Sequence, residues 1–222
     1  MERYTDRGEA GKILAEHLID YKNKPNTLVL ALPRGGVPVG FAIAKALSVP
    51  LDILLVRKLG VPGHKELAFG ALASGNTVFF NENIVRSLAL DDQTIKRVMA
   101  DEEKELARRQ TAYRGERPFP ALKNQTVILV DDGMATGATM RAAINCVYQH
   151  KPASVLVAVP VAAYATCEEV STLVDQLVCP FRPENFYAVG LWYDNFDQTT
   201  DEEVSELLAM AQVKHLESTA SS

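Results

Sequence analysis

Val127-Ile128-Leu129-Val130-Asp131-Asp132-Gly133-Met134-Ala135-Thr136-Gly137-Ala138-Thr139 reads as a short apolar strand, two adjacent carboxylates, and a loop of small and hydroxylic residues. The branched run suits a strand inside a covered sheet. That strand delivers Asp131 and Asp132 to its carboxyl end, and a helix is expected from about Thr139. A loop of this composition turns several backbone N–H groups inward and adds the hydroxyls of Thr136 and Thr139. It presents them at a helix N-terminus, where an anion is favoured. A phosphate fits there. The paired carboxylates beside it suit sugar hydroxyls or a magnesium-bound sugar, because they accept hydrogen bonds and attract cations.

Outward from this stretch, Thr126–Val130, Thr139–Gln149 and Ser154–Val161 form a strand, helix, strand unit. An earlier unit has the same form: strand Thr27–Leu32, helix Val37–Leu47, strand Leu51–Val56, preceded by an amphipathic helix over about residues 7–20. Repeated alternation predicts an α/β fold, a mainly parallel sheet with helices on both faces. Ligands of such sheets gather at the carboxyl ends of the strands. Both glycine-bearing loops, Pro33–Gly36 and Gly133–Thr139, fall there.

The connection Leu59–Pro120 is too long to lack structure of its own. Ser74-Gly75-Asn76 between Glu66–Ala73 and Thr77–Phe80 predicts a hairpin. Asp91 or Asp92 is expected to cap a helix with Ile95, Val98, Met99, Glu102 and Leu106 on one side, ending near Gly115. Asn185–Tyr193 reads as a last aromatic strand, Glu202–Ala211 as a closing helix, and 217–222 as a disordered tail. The expected organisation is one domain over 1–216 with an insertion at about 59–120.

The chain has 222 residues and a net charge of −5, which makes nucleic acid a poor default partner. An RNA-binding regulator would need a basic face that this composition does not advertise. Cys146, Cys167 and Cys179 lie far apart in sequence, as do the four histidines, so neither a disulfide framework nor a metal cluster is indicated. No apolar stretch reaches the roughly 18 residues of a membrane span. A cytoplasmic location is expected.

The run 127–139 resembles the signature of the type I phosphoribosyltransferases: apolar strand, two acidic residues, and a Thr-Gly-x-Thr phosphate loop. The likeness is closest to the adenine phosphoribosyltransferase form, which has Ala-Thr-Gly where hypoxanthine-guanine enzymes have Asp-Thr-Gly. It implies a type I phosphoribosyltransferase fold with a small hood, 5-phosphoribosyl 1-diphosphate (PRPP) as ligand, Mg2+ as cofactor, and a homodimer. Asp131 and Asp132 would meet the ribose hydroxyls, and the metal through ribose or water. Ala135, Thr136, Gly137, Ala138 and Thr139 would surround the 5-phosphate, with Gly133 and Met134 also among the donor-binding residues. The carboxylate that hypoxanthine-guanine enzymes carry at the position of Ala135 is missing, so any proton transfer needs another group or water.

Pro33-Arg34-Gly35-Gly36 resembles the family's diphosphate loop, which often holds a cis peptide, here Pro33–Arg34. At the end of the second strand, Arg57 and Lys58 match the place of the family's diphosphate cations, with Lys58 favoured as catalytic beside Asp131 and Asp132. The stretch Leu59–Gly63 is expected in a mobile cover. Phe186–Asp194 resembles a base-binding strand, which implies Tyr187, Ala188 and Asp194 at the acceptor. The resemblance implies transfer of a 5-phosphoribosyl group to a purine-like nitrogenous base. The alternative on the same fold is a non-catalytic PRPP or nucleotide sensor.

Overall fold

The computed structural model describes residues 3–220. Its centre is a five-stranded parallel sheet built from β1 (Thr27–Ala31), β2 (Leu51–Ile53), β6 (Thr126–Val130), β7 (Ser154–Ala158) and β8 (Gln176–Val178), in the order β2-β1-β6-β7-β8. Ala31 is in register with Val130, and Val130 with Ala158. The three central strands therefore end level, and the loops that follow them emerge side by side.

Alternate residues of these strands serve opposite faces. Val29, Ala31, Ile128 and Val130 pack with α1 (Arg7–His17), α2 (Gly36–Leu47) and the apolar side of α7 (Asp201–Ala220). Leu28, Leu30, Val127 and Leu129 pack with α5 (Ala138–Gln149) and α6 (Tyr164–Ser171). Helices on both faces explain why β1 is buried along its whole length. On the first face α1 lies very close to α2, because Gly11 has no side chain: a Cβ there would stand 2.5 Å from the Val39 carbonyl oxygen.

The insertion carries a second, antiparallel sheet of β3 (Val56–Val61), β4 (His64–Ala73) and β5 (Thr77–Phe80), then α3 (Glu82–Ser87) and α4 (Asp92–Arg114). The expected hairpin at Ser74–Asn76 is present, with Ala73 opposite Thr77 and both Gly75 and Asn76 at positive φ. Asp91 caps α4 by accepting from the Thr94 N–H at 2.8 Å. Ile95, Val98, Met99 and Leu106 turn to the core as expected. At its far end Arg114, fully buried, donates to Asp52 at 2.8 Å and to the Ile53 carbonyl at 2.7 Å, fastening the insertion to β2.

Several sequence expectations are corrected. The first helix stops at His17 and passes into a 3-10 turn, Ile19–Tyr21. β2 stops at Ile53, because Ser74 Oγ accepts the Leu55 N–H and the chain turns out to begin β3. The stretch Leu59–Gly63, expected in a mobile cover, ends β3 and makes its turn into β4. Beyond Ala158 the expected strand through Val161 gives way to a single bridge between Val161 and Phe181.

Asn185–Tyr193 is not a strand; it is irregular with a 3-10 turn at Val189–Trp192. Its partner is the N-terminal segment: the Tyr4 N–H donates to Trp192 O, and Asp194 N–H donates back to Tyr4 O. Tyr4, Tyr193, Phe181, Val189, Trp192 and Phe196 form a small aromatic cluster beside the sheet edge, the hood of the fold. The last strand of the sheet is β8, reached through α6; the sequence reading contained neither. The closing helix α7 continues past Ala211 to Ala220, so the tail expected at 217–222 lies partly on this helix, while Ser221 and Ser222 fall outside the described residues.

Gly11→Ala should force α1 from α2 and destabilise the protein by about 1–3 kcal/mol through overpacking. Denaturant unfolding measures this, and an unchanged midpoint and slope would contradict the close approach.

Candidate functional site

The loops after β1 and β6 meet at the carboxyl edge. The Gly35–Gly36 backbone lies directly against the acidic pair: a Cβ on Gly35 would overlap Asp132 Oδ2, and one on Gly36 would stand 2.7 Å from Val130 O and 3.0 Å from Asp131 Cα. Glycine at both positions is thus a requirement of close approach. The Pro33–Arg34 peptide is cis. Within this loop Gly36 and Val37 N–H donate to Leu32 O and Arg34 O, and Pro38 has no N–H. This leaves the Arg34 and Gly35 amides as the loop's donors without a protein acceptor among the described residues.

On the other side, Gly137 caps α5 at φ +69° with no side-chain cap; Ala138 N–H donates to Thr136 Oγ1 at 3.4 Å, and the Thr139 and Met140 amides of the first turn remain for an anion. Loop 133–137 is fixed from behind. Met134 N–H donates to Val161 O at 2.9 Å, Ala163 N–H donates to Met134 O at 3.2 Å, and Thr166 Oγ1 donates to Ala135 O at 2.6 Å. Met134 is therefore a core residue whose backbone is already engaged, and Gly133 is buried with it. Ala135, Thr136 and Thr139 are exposed, Ala138 is half-buried, and they form the accessible rim of the loop.

Asp131 and Asp132 are mostly enclosed. Asp131 Oδ1 accepts the Asp132 N–H at 2.8 Å. Burial, then the neighbouring Asp132, pushes the Asp131 carboxyl well above its ordinary range. Burial also raises Asp132, but Arg7 opposes the shift, with Nε donating to Oδ2 at 2.9 Å. Arg7 Nη1 donates to Asp197 O at 2.7 Å, and the guanidinium lies 3.9 Å over the Phe196 ring. Tyr193 Oη donates to Asp132 O at 2.6 Å. A cavity of about 300 Å³ opens among Arg7, Arg34, Gly35, Asp132, Phe196 and Thr199. Arg34 also faces Asp201 at 3.6 Å, whose carboxylate accepts from Tyr113 Oη of α4.

The fold thus brings together Arg34, Gly35, Gly36, Asp131, Asp132 and the rim of the 133–139 loop. Other expected residues stand apart. Arg57 is paired with Glu102 of α4 at 2.6 Å, and Lys58 is exposed on β3 and does not line the cavity. Tyr187 is 85% exposed and lines a different cavity, of about 230 Å³, with Arg3, Leu191 and Trp192. Ala188 and Asp194 are exposed. Arg7, Tyr193, Phe196 and Thr199 were not foreseen. The aromatic run pointed to their neighbourhood, but nothing local marked Arg7, which reaches Asp132 across 125 positions.

The sequence pattern of the phosphoribosyl transferase domain matches residues 2–191. Two Mycobacterium tuberculosis proteins, "Putative phosphoribosyl transferase MT0597" of strain CDC 1551 / Oshkosh and "Putative phosphoribosyl transferase Rv0571c" of strain H37Rv, are each 42% identical over 211 residues. The match takes in 95% of this chain and 47% of theirs, so the chain spans about half the length of these relatives. The fold is similar to the crystal structure of TT1426 from Thermus thermophilus, with a TM-score of 0.86 and 40% identity over 94% of this chain and 98% of that one.

The burial of Asp131 predicts a pH effect of definite sign. Its carboxyl holds a proton more tightly in the fold than in the unfolded chain, where the ordinary value of 3.8 applies. Its contribution to stability is therefore full in acid and is lost as pH rises from about that value through the raised one. Asp131→Asn should accordingly melt above wild type at neutral pH, with the gain fading as pH falls below the ordinary aspartate range. Melting curves across pH check this; a less stable variant at neutral pH would sink the assignment.

Proposed function

This chain belongs to the phosphoribosyltransferase family, and we propose that it transfers a 5-phosphoribosyl group from PRPP to a nitrogenous base, purine-like in character, with release of diphosphate. The observation that carries the reading is the convergence of two differently built anion sites on one buried carboxylate pair. Loop 135–139 and the open amides of α5 suit the 5-phosphate, and the Arg34 and Gly35 amides with the Arg34 guanidinium suit the diphosphate. Asp131 and Asp132, against which Gly35 and Gly36 pack, suit the ribose hydroxyls. Two anion sites flanking a carboxylate pair would suit a sugar carrying phosphate at both ends.

In this arrangement the bond from the anomeric carbon to the diphosphate oxygen breaks while a bond from the acceptor nitrogen forms. The ribose gains positive charge beside carboxylates, and the departing oxygen gains negative charge beside Arg34 and the loop amides. Groups fixed before the reaction stabilise both charges without reorganising. With Ala135 in place of an acid, this chain offers no carboxylate at that position for the acceptor's proton, which leaves to water. We place the acceptor on the Phe196 and Thr199 side of the cavity, since Tyr187 lies elsewhere.

The acidic pair fits magnesium as a partial ligand set. The carboxylates are hard oxygen donors, but no cluster of three or more His, Cys, Asp or Glu able to hold a metal occurs among the described residues. A magnesium ion would be held near Asp131 and Asp132 through ribose or water, and would take its remaining ligands from the diphosphate. Bound there, it would offset charge on the leaving group. A homodimer in the cytoplasm completes the proposal.

Two measurements test it. PRPP labelled in the ribose, incubated with magnesium and a panel of bases, should yield a labelled nucleotide and diphosphate; PRPP binding without product from any base would point to a sensor. Arg34→Ala should weaken PRPP binding by about 1.5–3 kcal/mol, the worth of a charge-assisted contact. Nucleoside 5-monophosphate affinity should change little, because that ligand lacks the diphosphate. Equal losses for both ligands in calorimetry would refute the division of the site.

A further inference from the structure

Arg7 stands at the start of α1, directly after its Asp6 cap. Its guanidinium is engaged inside the site, on Asp132 Oδ2, on the Asp197 carbonyl and over the Phe196 ring. The two ion-paired side chains are only 12% and 15% exposed. A packed helix delivers this cation, since α1 is seated on α2 through Gly11. Arg7 lines both the cavity that contains Arg34 and Gly35 and a second one, of about 300 Å³, beside Asp6, Pro38 and Glu203.

Two enclosed carboxylates side by side would ordinarily draw in a cation. Here the protein supplies one. A divalent ion brought to the Asp132 carboxylate would meet a fixed guanidinium already bonded to one oxygen, and like charges at such range repel strongly away from bulk water. We infer that Arg7 is the resident counter-cation of Asp132, occupying the place a divalent ion would otherwise take on the acidic pair. The ligand-free protein then holds no divalent cation there. In this role Arg7 is a positioning residue: it fixes the Asp132 carboxylate at the cavity wall.

The inference concerns the ligand-free protein and does not depend on the phosphoribosyl reading, so its test omits the donor. Mn2+ binding to the full chain is measured by electron paramagnetic resonance for wild type, Arg7→Met, Arg7→Lys, and Arg7→Met combined with Asp132→Asn. Wild type and Arg7→Lys should bind Mn2+ weakly. Arg7→Met should gain a site about tenfold tighter, as for a carboxylate released from its counter-charge, and the double variant should lose it. Arg7→Gln serves the same purpose if Arg7→Met does not fold, as circular dichroism would show.

Wild-type protein that binds Mn2+ as tightly as the variant would overturn the inference by itself. So would a neutral variant without the gain, or a gain that survives Asp132→Asn. A failure of labelled PRPP to give product would overturn the phosphoribosyl reading and leave the Mn2+ comparison intact.

Discussion

The approach of the Gly35–Gly36 backbone to the Asp131–Asp132 pair is the constraint on which the site depends. It follows from the register of β1 beside β6, which ends both strands level and sends their loops out as neighbours. At that separation a single methyl group on Gly35 would overlap a carboxylate oxygen. The absence of two side chains lets the Pro33–Gly36 loop and the acidic loop form one surface. Every other element of the site is arranged around this contact.

The contact has an electrostatic consequence. Closing a loop over adjacent carboxylates removes them from water, which disfavours their charged forms, and the shift on Asp131 shows the direction. The fold offsets part of this with Arg7 on Asp132, the carboxylate that lines the cavity, and leaves Asp131 buried without a basic side chain bonded to it among the described residues. Uncapped amides at α5 and free amides at Arg34 and Gly35 add positive potential on either side. A ligand with anionic ends and a hydroxylated middle would complement this distribution, and its binding would relieve what the empty site leaves unbalanced.

Much of this was legible in the sequence, for local reasons. The 127–139 run specifies strand, acids and loop by composition alone, the turn at Ser74–Asn76 needs residues tolerant of positive φ, and Asp91 caps the helix it precedes. The hood was misread for an equally physical reason. Aromatic and branched residues at 185–193 favour strands when a neighbour is available, yet this segment finds its partner in Tyr4 and is held by aromatic packing instead. Arg7 carried no local signal at all, since a charged residue in a first helical turn is ordinary; its meaning arises from tertiary contact with Asp132. Lys58 and Tyr187 looked suitable by position in a motif, but β3 leaves the central sheet and residues 185–193 do not form a strand, which moves both side chains elsewhere.

The central claim is that the two loops act as one PRPP-binding surface because their backbones are in contact. Calorimetric titration of magnesium-PRPP into wild type and Gly35→Ala, with circular dichroism to establish that both are folded, tests it most directly. The account predicts saturable binding to wild type and a loss of about a hundredfold or more in the variant, because separating the loops by one methyl group disturbs contacts on both sides at once. Equal affinities in two folded proteins would contradict it.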